Sequence, residues 1–177
     1  SLAKKLLAKS SVKVVSVCGF PLGVVPTFLK VAEFDYLLTQ GVDEIDFVIN
    51  LSWLKEGRWD LILQEMKLLK AKAKQHPLKV IIETFLLTDE EKRRACHIAM
   101  EAGIDFVKTS TGFAGGGATP EDVKLLVQTV QGKAEVKASG GIKTLETAEL
   151  LLSEGASRLG TSNGVQIMQG FGDGADY

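Results

Sequence analysis

Two lysines, Lys108 in VKTSTGF and Lys137 in VKASGGI, each close an apolar run that reads as a buried strand, and each precedes small polar and glycine residues. Most of the chain's 17 lysines are expected at the surface, where lysine ordinarily sits. A pair withdrawn into strands points instead to carbonyl condensation. A lysine amine attacks a carbonyl only when unprotonated, and an ordinary pKa of about 10.4 leaves little free base at neutral pH. A second ammonium nearby and partial burial both penalise the protonated form, so two strand-end lysines supply one route to activation. Asp46 in EIDFVIN alternates with Glu44, Val48 and Asn50 on one strand face. If Val48 points inward so does Asp46, where its carboxylate could relay protons to a condensing carbon or hydroxyl.

Glycines mark the other half of the candidate site. Loops at Thr111 to Gly117, Ser139 to Ile142 and Gly160 to Gly164 each follow a strand and precede a helix. In that arrangement backbone N–H groups and a helix N-terminus bind an anion, and a phosphate is the expected guest. Any one of these loops reads equally well as a plain turn. Two adjacent ones at the last strands match the place where eight-stranded barrels often hold phosphate.

The elements that must position these residues repeat one pattern. Short β-branched runs begin near Val12, Glu44, Leu78, Ile104, Ala134 and Ser157, and each is followed by helical apolar spacing. The starts lie roughly 23 to 34 residues apart, the size of a βα unit, and such alternation predicts parallel strands joined by helices. Thr88 before Asp89, Glu90 and Glu91, and Thr119 before Pro120, Glu121 and Asp122, read as helix N-caps with acids in the first turn. Ser1 to Ser10 reads as a leading helix. Six units are two short of a closed barrel, which takes eight strands and about 250 residues. Even so, Asp46, Glu83, Lys108 and Lys137 come from four different strands, which suits a barrel interior better than an open sheet covered by helices. Two acids against two lysines also balance, as charges withdrawn from water must. A structural ion-pair network is the competing reading of those four.

Composition narrows the partners. At 177 residues, 45% hydrophobic and 24% charged, the chain suits one globular domain, and a net charge of −1 gives no electrostatic reason for nucleic acid or an anionic membrane. A small molecule is the expected partner. No run of 18 apolar residues and no signal pattern occurs, so the expected compartment is the cytoplasm. Cys18 and Cys96 do not form a disulfide framework, and neither they nor His76 and His97 stand at metal-ligand spacing. All four read as structural.

GFPLG at 19–23, EIDFVIN at 44–50, VIIETFLLTDEEK at 80–92, FVKTSTGF at 106–113, VKASGGI at 136–142 and SRLGTSNG at 157–164 together resemble the deoxyribose-phosphate aldolases. The motifs run in order along the whole chain. The resemblance implies a class I aldolase on a (β/α)8 TIM barrel that cleaves 2-deoxyribose 5-phosphate reversibly to acetaldehyde and glyceraldehyde 3-phosphate, without metal or other cofactor. By similarity Lys108 forms the imine, Lys137 is the neighbouring cation that activates it, and Asp46 is the acid of the proton relay. Gly112, Gly140, Gly141, Gly160 and Ser162 fall where the family binds phosphate, Asn163 stands where a second serine is common, and Tyr177 resembles a terminal tyrosine that some members fold over the site.

The departures bear on closure. The family's first two strands have no counterpart in these residues, Phe85 replaces a frequent cysteine, and the stretch from Val24 to Phe28 is less polar than expected. Three readings follow: an active aldolase whose sheet is closed by a second chain, a truncated barrel that binds phosphate with little catalysis, and a structural remnant. Bare parallel edges promote association, so a homo-oligomer is expected.

Overall fold

The computed structural model of the chain describes residues 1–170. Tyr177 lies outside the described residues. Six strands, β1 (Val15–Cys18), β2 (Glu44–Val48), β3 (Leu78–Ile81), β4 (Phe106–Lys108), β5 (Glu135–Ser139) and β6 (Arg158–Gly160), form one sheet in chain order, every neighbouring pair parallel. The helices are α1 (Leu2–Leu6), α2 (Thr27–Thr39), α3 (Leu51–Lys55), α4 (Trp59–Ala73), α5 (Asp89–Glu101), α6 (Pro120–Val130), α7 (Leu145–Ser153) and α8 (Gly164–Met168). The expected six units are therefore present. The first strand begins at Val15 rather than Val12, and the leading helix stops at Leu6.

Period-two alternation gives each central strand one oily and one polar face. Ile45, Phe47, Ile49, Leu78, Val80, Ile82, Val107, Val136 and Ala138 join Phe34, Met66, Leu69, Ala99, Leu126 and Leu151 of the helices in a continuous buried core. Burying each large side chain of that layer contributes about 1.5–3 kcal/mol. The opposite face carries Glu44, Asp46, Lys79, Lys108, Lys137 and Ser139, all buried. Helix starts are fixed as their residue types dictate. Thr88 and Glu91 form a reciprocal capping box at α5, and Thr119 accepts the Asp122 N–H with Pro120 in the first turn of α6.

The sheet is curled like a barrel wall. Arg158 on β6 pairs with Glu44 on β2, four strand steps away, which in a flat sheet would be about 19 Å. Lys137 on β5 likewise reaches Asp46 on β2 at 2.8 Å. Among the described residues β1 and β6 each keep one unpaired edge, and Val15 and Val17 of β1 are exposed. These are six consecutive strands of a TIM-barrel architecture with an open seam between the first and the last.

A second buried ion pair holds the loop after β1. Lys30 of α2 is fully buried, donates to the carbonyls of Gly23 and Val48 at 3.0 Å each, and meets Glu65 of α4 at 2.7 Å. Its three ammonium hydrogens thus all have acceptors, which is what makes a buried lysine tolerable. The loop so fixed carries Phe20, whose ring packs edge-on against Phe113 at 5.3 Å and ties the β1 end of the wall to the loop after β4. No helix among the described residues is long and apolar enough to cross a membrane.

Candidate active site

Parallel register aligns Lys108 with Lys137 on adjacent strands and Asp46 with Lys79. Curling then brings the two pairs together. Asp46 Oδ2 accepts from Lys108 Nζ at 3.0 Å and from Lys137 Nζ at 2.8 Å, so the two nitrogens stand no more than about 6 Å apart, within the range at which like charges penalise each other. Lys79 Nζ lies 3.0 Å from Asp46 Oδ1, a charge contact that is not aligned as a hydrogen bond, and Oδ1 keeps no hydrogen-bond partner. Lys79 also donates to Glu44, which takes Arg158 on the same oxygen.

Electrostatics follow from that geometry. Burial pushes the Asp46 carboxyl up, but the ammoniums of Lys108, Lys137 and Lys79 together outweigh it and hold the group below the usual carboxylate range. Glu44 is likewise lowered on balance, burial being outweighed by Lys79 and Arg158. For Lys137 burial dominates and depresses the ammonium below the ordinary lysine value, against the pull of Asp46 and with help from Lys108 and Lys79. Asp46 is thus a committed carboxylate at neutral pH, and Lys137 releases a proton more readily than a surface lysine.

A cavity of about 460 Å³ opens above the cluster. Lys108 forms its floor, and Gly112, Gly140, Gly141, Gly160, Ser162 and Asn163 all line it, so the loops singled out in the sequence converge there. Two hydrogen bonds between Thr109 and Ser139, and a third from the Ser139 hydroxyl to the Ser110 carbonyl at 2.6 Å, stitch the ends of β4 and β5 beneath it. Gly160 has to be small: a Cβ there would stand 2.9 Å from Ser139 Cβ and 3.2 Å from Lys137 Cε. Gly117 is still tighter, its hypothetical Cβ falling 2.3 Å from the Gly140 carbonyl oxygen. A larger groove of about 710 Å³ lies on the outer helices, beside Lys55, Trp59, Arg93 and His97, but contains none of these groups. The lysine and the glycine loops meet only at the smaller of these two cavities.

Several expectations need revision. Glu83 is not part of the charge cluster: its backbone takes a left-handed φ of 59°, and its carboxylate accepts the Thr111 N–H at 3.2 Å and the Thr111 hydroxyl. It anchors the loop after β4. The balance of two acids and two lysines is replaced by Glu44 and Asp46 against Lys79, Lys108, Lys137 and Arg158. Lys137 lies in mid-strand, since β5 runs on to Ser139. Lys79 was missed although LKVII carries the same signal as FVK, a lysine inside an apolar run, and Lys143 at the cavity rim was missed as well. The cysteines behave as read: Cys18 and Cys96 are free and buried, and burial pushes both thiols up to about 12. His76 makes a structural contact with the Asp43 carbonyl at 3.2 Å, and exposed His97 lines only the outer groove.

Known proteins resemble this chain throughout. The family model for DeoC/LacD family aldolases matches residues 11–170. A deoxyribose-phosphate aldolase of Carboxydothermus hydrogenoformans is 52% identical over 99% of this chain and 78% of its own length. That of Staphylococcus carnosus is 50% identical, over 99% of this chain and 80% of its own. The solved structure of a deoxyribose phosphate aldolase from Aeropyrum pernix, described as tetrameric, superimposes with a TM-score of 0.87 at 34% identity, over 95% of this chain and 71% of its own.

The lowered Asp46 carboxyl has a signed consequence for stability. Its folded pKa lies below its unfolded value of about 3.9, so its contribution is complete well above that value and is lost as pH falls through the folded pKa. Melting curves of the native protein and Asp46→Asn should therefore differ by a constant gap above about pH 5 that closes in more acid solution. A gap that stays constant down to acid unfolding would show that the Asp46 charge does not stabilise the cluster.

Proposed function

The chain belongs to the DeoC/LacD family of aldolases, and on that premise we propose that it cleaves 2-deoxyribose 5-phosphate reversibly to acetaldehyde and glyceraldehyde 3-phosphate through an imine on Lys108. One observation carries the assignment of roles: two lysine nitrogens share a single carboxylate oxygen, and one of the two lysines, Lys108, lines the cavity. The Lys108 amine adds to the aldehyde carbon, and loss of water gives the imine. With the imine protonated, the C3 hydroxyl yields its proton and the C2–C3 bond breaks; its electron pair forms the C1=C2 bond as the C=N pair moves onto nitrogen, leaving an enamine and free glyceraldehyde 3-phosphate. Protonation of the enamine carbon and addition of water release acetaldehyde and restore the amine. Asp46 and Lys137, an ionised acceptor and a readily deprotonated ammonium, are suited to carry these protons.

The phosphate belongs at the rim. Four cations against two carboxylates leave the lumen positive, and Lys143 adds a cation beside the glycine loops at Gly140 and Gly160. That the charge cluster is complete supports an enzyme over a phosphate-binding remnant. We also infer a homo-oligomer. The relative from Aeropyrum pernix is described as tetrameric. Here β1 keeps an unpaired edge, and Leu22, Phe28 and Tyr36 are exposed, apolar surface that association would cover.

Incubation with acetaldehyde and borohydride should add one ethyl group to Lys108, located by peptide mass mapping. Labelling of Lys137 with Lys108 untouched would reverse the two roles.

Lys143→Gln should raise KM for the phosphorylated sugar by about tenfold, the value of a charge-assisted hydrogen bond at an exposed site, while leaving unphosphorylated 2-deoxyribose unaffected. Equal losses with both substrates would show that Lys143 does not meet the phosphate.

Light scattering over a wide concentration range should report a dimer or larger assembly. A stable monomer with full turnover would show that the open seam needs no partner.

A further inference from the structure

We propose that Lys79 is a positioning residue for the aldol chemistry, turning the Asp46 carboxylate so that one of its oxygens serves both Lys108 and Lys137. The inference rests on the assignment of Lys108, Lys137 and Asp46 as the reacting set. A carboxylate facing two lysines can give one oxygen to each. Here both ammoniums fall on Oδ2, at 3.0 and 2.8 Å, while Lys79 stands alone beside Oδ1 at 3.0 Å. The torsion that turns an aspartate carboxylate is broad and nearly two-fold, so the side chain by itself does not choose between the two arrangements. The cation at Oδ1 makes the choice. It leaves Oδ2 to the lysine pair and so keeps the two reacting nitrogens close.

Lys79 is itself held. It has no exposed surface, whereas Lys108 and Lys137 each keep 8%, so it does not reach substrate. Its ammonium donates to Glu44 and lies 5.3 Å from the centre of the Phe106 ring, with the Arg158 guanidinium 4.8 Å from the same ring and paired with Glu44. Arg158, Glu44, Lys79 and Asp46 thus alternate in charge along the inside of the wall, from the edge strand to the reacting lysines. The groups facing Asp46 are Glu44 on its own strand, Lys79 on β3, Lys108 on β4 and Lys137 on β5, with Arg158 of β6 acting through Glu44; β1 places only Val17 alongside. A lysine serving merely as a buried counter-charge would shift the acid limb through the Asp46 carboxyl but would leave kcat at the pH optimum unchanged.

The test compares the native protein, Lys79→Met and Lys79→Arg in cleavage of 2-deoxyribose 5-phosphate across pH, with acetaldehyde trapping by borohydride run on each. Lys79→Met should lower kcat by about one to two orders of magnitude with KM little changed, as expected for disturbed proton transfer. Its acid limb should move up by about one pH unit, because Asp46 loses one of three adjacent cations. Lys79→Arg should recover most of kcat and restore the limb. Should Lys79→Met fail to fold, Glu44→Gln/Lys79→Met, which removes the carboxylate left orphaned, is measured in its place. A folded variant with native kcat at its pH optimum, whether or not the acid limb moves, would overturn the role of Lys79 alone. A native protein that neither cleaves the sugar nor traps acetaldehyde would overturn the aldolase reading, and the role of Lys79 with it.

Discussion

One buried carboxylate governs the inner face of this protein. Asp46 is only 1% exposed and is ringed by three ammonium groups, two of which, Lys108 and Lys137, have no other ion-pair partner among the described residues. A charge taken out of water costs several kcal/mol unless it is paired and well oriented. The curl of the sheet is what brings the partners within reach, since they stand on four strands. The cluster therefore belongs to the barrel wall as a whole and to no single βα unit.

The division of labour between the two faces explains how such a cluster is tolerated. Outward residues of the central strands pack into a continuous apolar layer under the helices, which supplies the stability. Inward residues are then free to be chosen for chemistry. Excess positive charge inside is a poor choice for stability and a good one for an anionic substrate, a familiar tension at functional sites. The backbone carries some of the same tension. Glu83 holds a left-handed conformation that is unfavourable for a side-chain-bearing residue, and its carboxylate fixes the turn into the loop above Lys108.

Size alone would misplace the site. A groove larger than the cavity lies between outer helices and is lined mostly by charged and polar side chains, whereas the smaller cavity has a floor of buried lysine and walls of glycine-rich loop. What distinguishes it is convergence: three loops, distant in sequence, end at one mouth above one charge cluster. Gly160 and Gly117 show how closely those loops pack, because neither has room for a methyl group.

The chain's order of residues was enough to reveal six βα units, the caps of α5 and α6, the glycine loops and the burial of Lys108, Lys137 and Asp46 on strands. Those features are local: alternation, capping and turn preference act between residues a few positions apart. The same alternation marks Lys79, a lysine inside the apolar run LKVII. Glu83 was misjudged because a left-handed backbone angle at the strand end redirects its side chain, and residue type does not announce that angle. Which oxygen of Asp46 each lysine meets, the pairing of Glu44 with Arg158 across four strands, and the cation beside Asp46 Oδ1 were decided only by tertiary structure. They depend on strand register and on the curvature of the sheet, and curvature is a property of all six strands packed together against their helices.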